Sequence, residues 1–228
     1  TSVNQIAFNR YPDPYANETI TAFGRHYDVK SNLVTAGNGS DELIQVIMSA
    51  FLMKGDRVLT LSHDFSMYRF YTSIVEAECI EVPKNEDLTI NVDNVIETAN
   101  EQQVRMIIFS NPCNPTSLGL CKDEVRRLIR SVNALVILDE AYMDFAGSTA
   151  QSESFLSFAG KYPNAVVLKT LSKAIGAAAL RLGFIVSDKA FYDMFCAVKS
   201  PYNVNSVSQA FGKVLLREKE LLKECTKK

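Results

Sequence analysis

The fold of this chain is decided by Leu-Val-Ile-Leu-Asp-Glu-Ala-Tyr at residues 135–142, where an aliphatic run leads directly into polar residues. A continuous apolar run of this kind is typical of a strand buried on both faces of a parallel sheet. Residues 107–116 and 165–173 have the same form. In an open α/β sheet the carboxyl ends of parallel strands meet at one edge, where ligands bind. The three polar clusters are therefore predicted to lie together.

The rest of the chain alternates between aliphatic strand candidates and amphipathic helix candidates. This alternation predicts a three-layer α/β fold, with a mainly parallel sheet covered by helices on both faces. The strands are predicted near residues 33–36, 57–61, 78–83, 104–110, 134–139, 165–170 and 181–186. The helices are predicted at residues 41–53, 66–77, 122–131, 152–161, 189–199 and about 204–221.

Length and charge limit the kind of protein that this can be. A chain of 228 residues with 47% hydrophobic content can bury a sizeable core, which predicts one globular unit. The 24 basic and 26 acidic residues are mixed along the chain, so no charged stretch indicates binding to nucleic acid or to a membrane surface. The longest apolar runs have the length of strands, which predicts no membrane span. These properties favour a small-molecule substrate.

The cysteines and histidines do not have the spacing of metal ligands, so no metal site is predicted. An odd number of cysteines without a recognisable signal peptide predicts a reducing cytoplasm. Cys113 lies in the polar loop at 111–116, where a small buried packing residue is favoured over a reactive thiol. The five cysteines are Cys79, Cys113, Cys121, Cys196 and Cys225.

The acidic pair at 139–140 also resembles the end of a strand in nucleotide-hydrolysing enzymes. Such enzymes need a Gly-x-x-x-x-Gly-Lys-Ser/Thr loop. Here Gly160-Lys161 is followed by Tyr162, and Gly212-Lys213 by Val214. The sequence therefore argues against a nucleotide-hydrolysing site.

The three strand-end clusters offer groups that suit pyridoxal phosphate. Lys173 can form a Schiff base with the aldehyde, and a carboxylate such as Asp139 can keep the pyridine nitrogen protonated, so that the ring becomes an electron sink. Asn114 and Tyr142 can hydrogen-bond the phenolic oxygen of the ring. Arg181, eight residues after the lysine, lies among groups that could hold a phosphate.

Taken together, the motifs resemble those of fold-type I pyridoxal phosphate-dependent aminotransferases, and most closely those of the histidinol-phosphate aminotransferase family. The resemblance spans nearly all 228 residues, with the motifs in the family's order. Besides the clusters at 107–116 and 135–142, it is carried by residues 9–14, 37–42, 65–68, 170–174 and 181–183.

The resemblance implies a catalytic role for three residues. Lys173 would be the Schiff-base lysine and would also carry the substrate's α-proton, because a desolvated amine near cationic groups loses its own proton more easily. Asp139 would pair with the pyridinium. Tyr142, together with Asn114, would hold the phenolic oxygen.

The other implied site residues bind the cofactor. Its phosphate would lie where Ser40 and Asp41 open a helix, because free N–H groups and the helix dipole favour an anion there. The resemblance places Phe65 against the cofactor ring and Tyr11 on the phosphate of the other subunit, which requires a homodimer. The phosphate site would be completed by Thr170, Ser172 and Arg181.

The resemblance also implies a domain organisation and a reaction. Residues 1–17 would be an N-terminal segment, and residues 18–228 the cofactor-binding large domain ending in an interdomain helix. Family chains continue into a small C-terminal domain, which carries the arginine for the substrate carboxylate and has no counterpart here. The implied reaction transfers an amino group between histidinol phosphate and 2-oxoglutarate, in cytoplasmic histidine biosynthesis. The chain departs from the family at Cys113, where Asn is usual, and at Ser117, where Gly is usual.

The same residues are also compatible with other functions. An aromatic amino-acid aminotransferase and a phosphothreonine-type decarboxylase share this fold, and substrate choice depends on residues outside these motifs. A non-catalytic binding or dimerisation module that retains only the fold is a further alternative. The joint presence of the lysine, the acid, the amide, the tyrosine and the arginine argues for cofactor chemistry.

Overall fold

A seven-stranded mixed sheet forms the centre of the protein in the computed structural model, which describes residues 6–149 and 153–226. The strands run in the order β1-β7-β6-β5-β4-β2-β3. Strand β7 is antiparallel to both of its neighbours, and the other neighbouring pairs are parallel. The strands are β1 (Val34–Gly37), β2 (Arg57–Leu61), β3 (Glu78–Val82), β4 (Met106–Ser110), β5 (Leu135–Asp139), β6 (Ala165–Thr170) and β7 (Gly183–Val186).

Helices cover both faces of this sheet. Short 3₁₀ segments lie at Ser31–Leu33, Met143–Thr149 and Ala178–Leu180. The α-helices are α1 (Asn17–Tyr27), α2 (Gly39–Phe51), α3 (Met67–Ile74), α4 (Val92–Glu101), α5 (Lys122–Ser131), α6 (Leu156–Ala159), α7 (Lys189–Val198), α8 (Ser206–Leu215) and α9 (Lys219–Thr226). Among the residues described, no helix combines the length and the apolar character needed to cross a bilayer.

The two sides of the sheet have separate cores because successive side chains of a strand point to opposite faces. On what we call the front face, Leu135 and Ile137 of β5 pack with α2, α3 and α7. On the rear face, Val136 and Leu138 pack with α1, α4, α5 and α6. Strand β5 is therefore buried on both faces, as its continuous apolar run predicts.

A group of buried polar side chains, here called the rear cluster, lies beyond the end of β5 on the rear face. Lys169 Nζ is 2.8 Å from Asp144 Oδ1 and 3.9 Å from Glu140 Oε2. Tyr27 donates to Asp144 at 2.9 Å, and Ser154 donates to Glu140 at 2.6 Å. The cluster joins the segment after β5 to β6 and to α1.

The predicted fold class and all seven predicted strands are confirmed. Two helices, α1 and α4, were not predicted. The signal for α4 was present, because Asn91 caps the Asn94 N–H and Val92, Val95 and Ala99 have helical spacing. The apolar runs of the strands were therefore easier to recognise than these two amphipathic helices.

Two predicted helices are wrong in extent. For the helix predicted at 152–161, residue 152 lies outside the described residues and the structure has only α6. The Phe155 N–H donates to Glu140 at 2.5 Å, so it is engaged by the rear cluster. The helix predicted at about 204–221 is two helices, α8 and α9. Between them the N–H groups of Arg217 and Glu218 bond to carbonyls three residues back, and the Leu216 carbonyl faces His26 Nδ1 at 2.9 Å.

Candidate active site

The strand-end clusters meet in one open pocket at the carboxyl ends of β2, β4, β5 and β6 and the amino end of α2. This is the edge at which ligands bind in open α/β sheets. Every site residue predicted from the sequence lines the pocket except Tyr11. The lining residues are Ser40, Asp41, Phe65, Tyr68, Ser110, Asn114, Asp139, Ala141, Tyr142, Thr170, Ser172, Lys173 and Arg181.

Asp139 is the buried acid of the pocket. It is the last residue of β5, and its parity with Leu135 and Ile137 directs it to the front face. Its Oδ2 accepts the Tyr68 hydroxyl at 2.9 Å, and its Oδ1 accepts the Ala141 N–H at 3.0 Å. Burial raises the pKa of Asp139 to about 6, although both hydrogen bonds act in the opposite direction. Within the described part of the chain, this carboxylate makes no ion pair.

Tyr68 is the last residue of the motif at 65–68, and the sequence predicts no role for it. Its side chain is buried, and burial together with the Asp139 charge raises its pKa well above the usual range, so the hydroxyl remains a donor. The Phe65 ring meets the Tyr68 ring edge-on, with centroids 5.4 Å apart. Tyr68 therefore contacts both Asp139, the acid of the pocket, and Phe65, its aromatic lining residue.

Lys173 lies in the turn after β6. The turn is held by the Leu171 N–H, which donates to the Leu182 carbonyl at 3.0 Å, and by the Ala177 N–H, which donates to the Leu171 carbonyl at 2.9 Å. Lys173 Nζ is 5.3 Å from the centre of the Tyr142 ring. Lys173 is an exposed residue that lines the pocket, and the expected desolvation of its amine stays a prediction.

The amino end of α2 approaches Arg181 closely. Gly39 has φ +86°, and a Cβ there would lie 2.7 Å from Arg181 Nη2, so only glycine fits without a shift. The guanidinium contacts Asp41 Oδ2 at 2.9 Å. The Asn38 side chain makes no capping hydrogen bond to the first turn of α2. Backbone N–H groups and a cation therefore stand together at this end of the pocket.

Two hydroxyls lie beside that cation. Thr170 Oγ1 is 2.9 Å from Ser172 Oγ, and it accepts the Ser172 N–H at 3.1 Å. Thr170 is buried, whereas Ser172 is half-buried. Together with α2 and Arg181, these residues form a polar recess of the kind that binds an anion.

The loop that carries Asn114 is attached to the end of β4. Ser110 Oγ accepts the Asn114 N–H at 3.2 Å. Ser117, where the resemblance leads one to expect glycine, has φ +61°, a conformation that glycine adopts more easily. Cys113 is buried, as predicted, and its Sγ lies 2.9 Å from Lys84 Nζ.

Tyr11 does not reach the pocket of its own chain. Its side chain is 82% exposed, and its ring stacks on that of Tyr202 with centroids 4.7 Å apart. Its predicted role in a second subunit stays a prediction.

Sequence reasoning also missed Ser110 and Ala141 as lining residues. Ser110 had a readable signal, because it ends β4 as Asp139 ends β5 and the two are register partners. Ala141 contributes its backbone N–H, which no side-chain pattern predicts. Of the residues described, no group of three or more His, Cys, Asp or Glu is placed to hold a metal ion.

Comparison with known proteins gives consistent matches. The family model "Aminotransferase class I and II" matches residues 4–228. Histidinol-phosphate aminotransferase of Clostridium novyi is 43% identical over 223 residues, which are 98% of this chain and 61% of that protein.

Solved structures have the same fold. Histidinol-phosphate aminotransferase from Sinorhizobium meliloti, in complex with pyridoxal-5'-phosphate, matches with a TM-score of 0.92 at 21% identity, over 100% of this chain and 62% of that one. L-Threonine-O-3-phosphate decarboxylase from Porphyromonas gingivalis matches with a TM-score of 0.80 at 26% identity, over 94% of this chain and 62% of that one. The chain thus spans less than two thirds of the length of each of these proteins.

Proposed function

The chain belongs to the class I and II aminotransferase family, and from this premise we propose that it binds pyridoxal phosphate in the pocket and serves in amino transfer. The observation that carries the proposal is the convergence of Lys173, a buried acid and an anion-binding helix terminus in one pocket. These are the three groups that an aldehyde, a pyridine nitrogen and a phosphate require.

The phosphate would be held at the amino end of α2. The first-turn N–H groups and the helix dipole favour an anion there. A guanidinium has five N–H donors, and the ion pair between Arg181 and Asp41 leaves others for the phosphate. The hydroxyls of Ser40, Thr170 and Ser172 would complete the site.

When bound, pyridoxal phosphate supplies an electron sink that stabilises negative charge on the substrate's α-carbon. Asp139 would hold a proton on the ring nitrogen, and Tyr68 and Ala141 orient its carboxylate for that purpose. Tyr142 and Asn114 would orient the phenolic oxygen, and Phe65 would cover a ring face. Lys173 would anchor the aldehyde and move the α-proton through Nζ.

Histidinol phosphate and 2-oxoglutarate are the proposed substrates, on the basis of the 43% identical Clostridium novyi relative. That relative extends well beyond the matched part. We propose that residues 18–228 form the cofactor-binding domain after an N-terminal segment at 1–17.

A homodimer in the cytoplasm belongs to the same proposal. Tyr11 is exposed and outside its own pocket, which suits a residue that serves a second subunit. The five cysteines are all free, which suits a reducing compartment.

Decarboxylation of a phosphorylated amino acid is the second candidate. It is favoured by the match to the Porphyromonas gingivalis decarboxylase, at 26% identity and a TM-score of 0.80. With O-phosphothreonine, carbon dioxide release would indicate this activity. Glutamate formed from histidinol phosphate and 2-oxoglutarate would indicate amino transfer.

The test of the cofactor site is borohydride reduction after addition of pyridoxal phosphate, followed by peptide mapping. We expect a pyridoxyl adduct on Lys173 alone, which is lost in Lys173→Ala. Lys54→Ala is the control, because Lys54 is an exposed lysine outside the pocket. An adduct that persists in Lys173→Ala, or one spread over surface lysines, contradicts the proposed site.

A further inference from the structure

The carboxylate of Asp64 connects two of the loops that form the pocket. Its Oδ1 accepts the Phe65 N–H at 2.7 Å and the Ser110 hydroxyl. Its Oδ2 accepts the Ser110 N–H at 3.1 Å. The donors come from the segment after β2 and from the end of β4, which are neighbouring strands. One acid side chain therefore joins two strand ends that are 46 residues apart.

The connection continues to the predicted cofactor ligands. Ser110 Oγ, which donates to Asp64, also accepts the Asn114 N–H at 3.2 Å. Phe65 follows Asp64 directly and lines the pocket. Asp64 itself does not line the pocket. It is thus placed to act through Phe65, Ser110 and Asn114.

The hydrogen-bond pattern is that of an ionised acid, because all three donors point to its oxygens. Burial raises the pKa of Asp64, whereas the Ser110 and Phe65 hydrogen bonds and the positive charge of Lys84 oppose that rise. The Asp64 charge also acts on Tyr68 and Asp139. Its negative charge adds to that of Asp139 at this end of the pocket.

We propose that Asp64 is a positioning residue for the cofactor: it holds the Phe65 and Asn114 loops in place and supplies a second negative charge beside Asp139. The inference rests on the proposed function, since it concerns the same cofactor. Nothing in the chemistry requires Asp64 to contact substrate or cofactor.

The test compares Asp64→Asn, Asp64→Glu, Ser110→Ala and the double variant Asp64→Asn with Ser110→Ala. Asp64→Asn removes the charge and turns an N–H₂ group toward donors. Asp64→Glu keeps the charge. Asp87→Asn is the matched control, because Asp87 also accepts one backbone N–H and one hydroxyl, both from Thr89, but is fully exposed and outside the pocket.

Three properties are measured on the 228-residue chain: amide hydrogen exchange without cofactor, the dissociation constant for pyridoxal phosphate, and the pH midpoint of the absorbance change of the bound cofactor. In Asp64→Asn we expect the Ser110 and Asn114 amides to exchange at least about tenfold faster, and cofactor binding to weaken about tenfold, the range for a hydrogen bond to a charged group. Ser110→Ala should cost less in the Asp64→Asn background than alone, because both substitutions remove the hydrogen bond between the Ser110 hydroxyl and Asp64.

The pH midpoint separates positioning by charge from simple loss of structure. Removing a negative charge destabilises cationic forms nearby, so the midpoint should fall by roughly half a unit in Asp64→Asn and recover in Asp64→Glu. An unchanged midpoint in Asp64→Asn, additive effects of the two substitutions, or effects equal to those of Asp87→Asn would overturn the inference.

A failure of the proposed function can be distinguished from a failure of the inference about Asp64. If the unmodified chain captures no pyridoxal phosphate on Lys173, the proposed function is contradicted, whatever the Asp64 variants do. Amide exchange at Ser110 and Asn114 still decides whether Asp64 orders the two loops, because that measurement needs no cofactor.

Discussion

Asp139 and Glu140 are neighbours in sequence, yet they belong to two differently built groups of buried charge on opposite faces of the sheet. In the rear cluster, Glu140 and Asp144 are matched by Lys169 and by hydroxyl donors. In the front pocket, Asp139 has a tyrosine hydroxyl and a backbone N–H but, within the described residues, no cation. The rear cluster is complete within the chain, whereas the pocket acid is suited to a cationic partner from outside it.

Lys169 in the rear cluster and Lys173 in the pocket differ in the same way as the two acids. Lys169 is 1% exposed, and its charge is matched by two carboxylates. Lys173, four residues later, is exposed at the pocket opening beside the Tyr142 ring. A buried lysine with two acids stabilises the fold only while all partners are present, and an accessible lysine can react. The comparison therefore gives the rear cluster a structural role and leaves the front lysine accessible, as the proposed function requires.

Replacing the rear lysine should have the largest effect on stability. Lys169→Met leaves Glu140 and Asp144 buried without a cation, and we expect the free energy of unfolding to fall by about 3–5 kcal/mol. The measurement is urea unfolding followed by circular dichroism. Lys54→Met is the control, because Lys54 pairs with Glu76 on the surface and should cost less than about 1 kcal/mol. Equal losses of stability in the two variants would show that Lys169 does not offset the buried charges of Glu140 and Asp144.

Replacing the pocket acid should change stability in the opposite sense and in a pH-dependent way. The folded-state pKa of Asp139 is about 6 and its ordinary value is 3.8, so the folded state binds the extra proton between these values. Stability from this group is present below about pH 4 and is lost as pH rises through 6. Without cofactor, we expect Asp139→Asn to become more stable than the unmodified chain above pH 6, by about 2–3 kcal/mol.

The measurement is the difference in unfolding free energy between the two proteins from pH 4 to pH 7. The difference should grow with pH across this window, while cofactor binding is weakened in the variant. A constant difference would mean that Asp139 does not titrate in this range.

Crowding in the pocket at the amino end of α2 should have a smaller effect on stability. Gly39→Ala places a Cβ 2.7 Å from Arg181 Nη2 at φ +86°, so strain and displacement of the guanidinium both follow. We expect a loss of about 2 kcal/mol in stability and weaker cofactor binding. Gly55→Ala has nearly the same φ, +85°, with nothing within 4 Å, and should lose only the strain part, about 1 kcal/mol, with binding unchanged. If both variants bind the cofactor equally, the contact with Arg181 has no functional role.

The smallest effect is expected in the Asn114 loop. Ser117→Gly relieves a φ of +61° but increases the freedom of the unfolded chain, so a net gain of about 0.5 kcal/mol is expected. Thermal unfolding with and without pyridoxal phosphate measures it. A loss of stability would indicate that the Ser117 side chain contributes more than its backbone strain costs.

Most of the fold was predictable because strand patterns are local. The apolar runs that form β4, β5 and β6 are long and end in polar residues, so both the strands and the shared edge could be inferred. The helix extents near 152–161 and 204–221 were less predictable. There, Glu140 engages the Phe155 N–H, and His26 lies at the Leu216 carbonyl, both from distant parts of the chain.

The candidate site was predicted in its residue types but not in its supporting contacts. Lys173, Asp139, Asn114, Tyr142 and Arg181 stand in recognisable motifs and do meet in one pocket. Their roles in chemistry stay predictions. Tyr68 and Asp64 were missed as supports, because their partners Asp139 and Ser110 lie 71 and 46 residues away and no local pattern marks such pairs.

The amino-acid sequence by itself determined the α/β fold, the strand ends that carry the polar groups, and the resemblance that suggests a cofactor, because all of these depend on short-range patterns of side-chain type. The motifs also selected Asp139 and Lys173. Only the tertiary structure decided which partners surround them: Glu140 and Lys169 are matched by charge on the rear face, whereas Asp139 makes no ion pair within the described residues. The physical reason is that burial and charge compensation are set by groups brought together from distant segments. Two residues of the same type therefore acquire different properties from their surroundings.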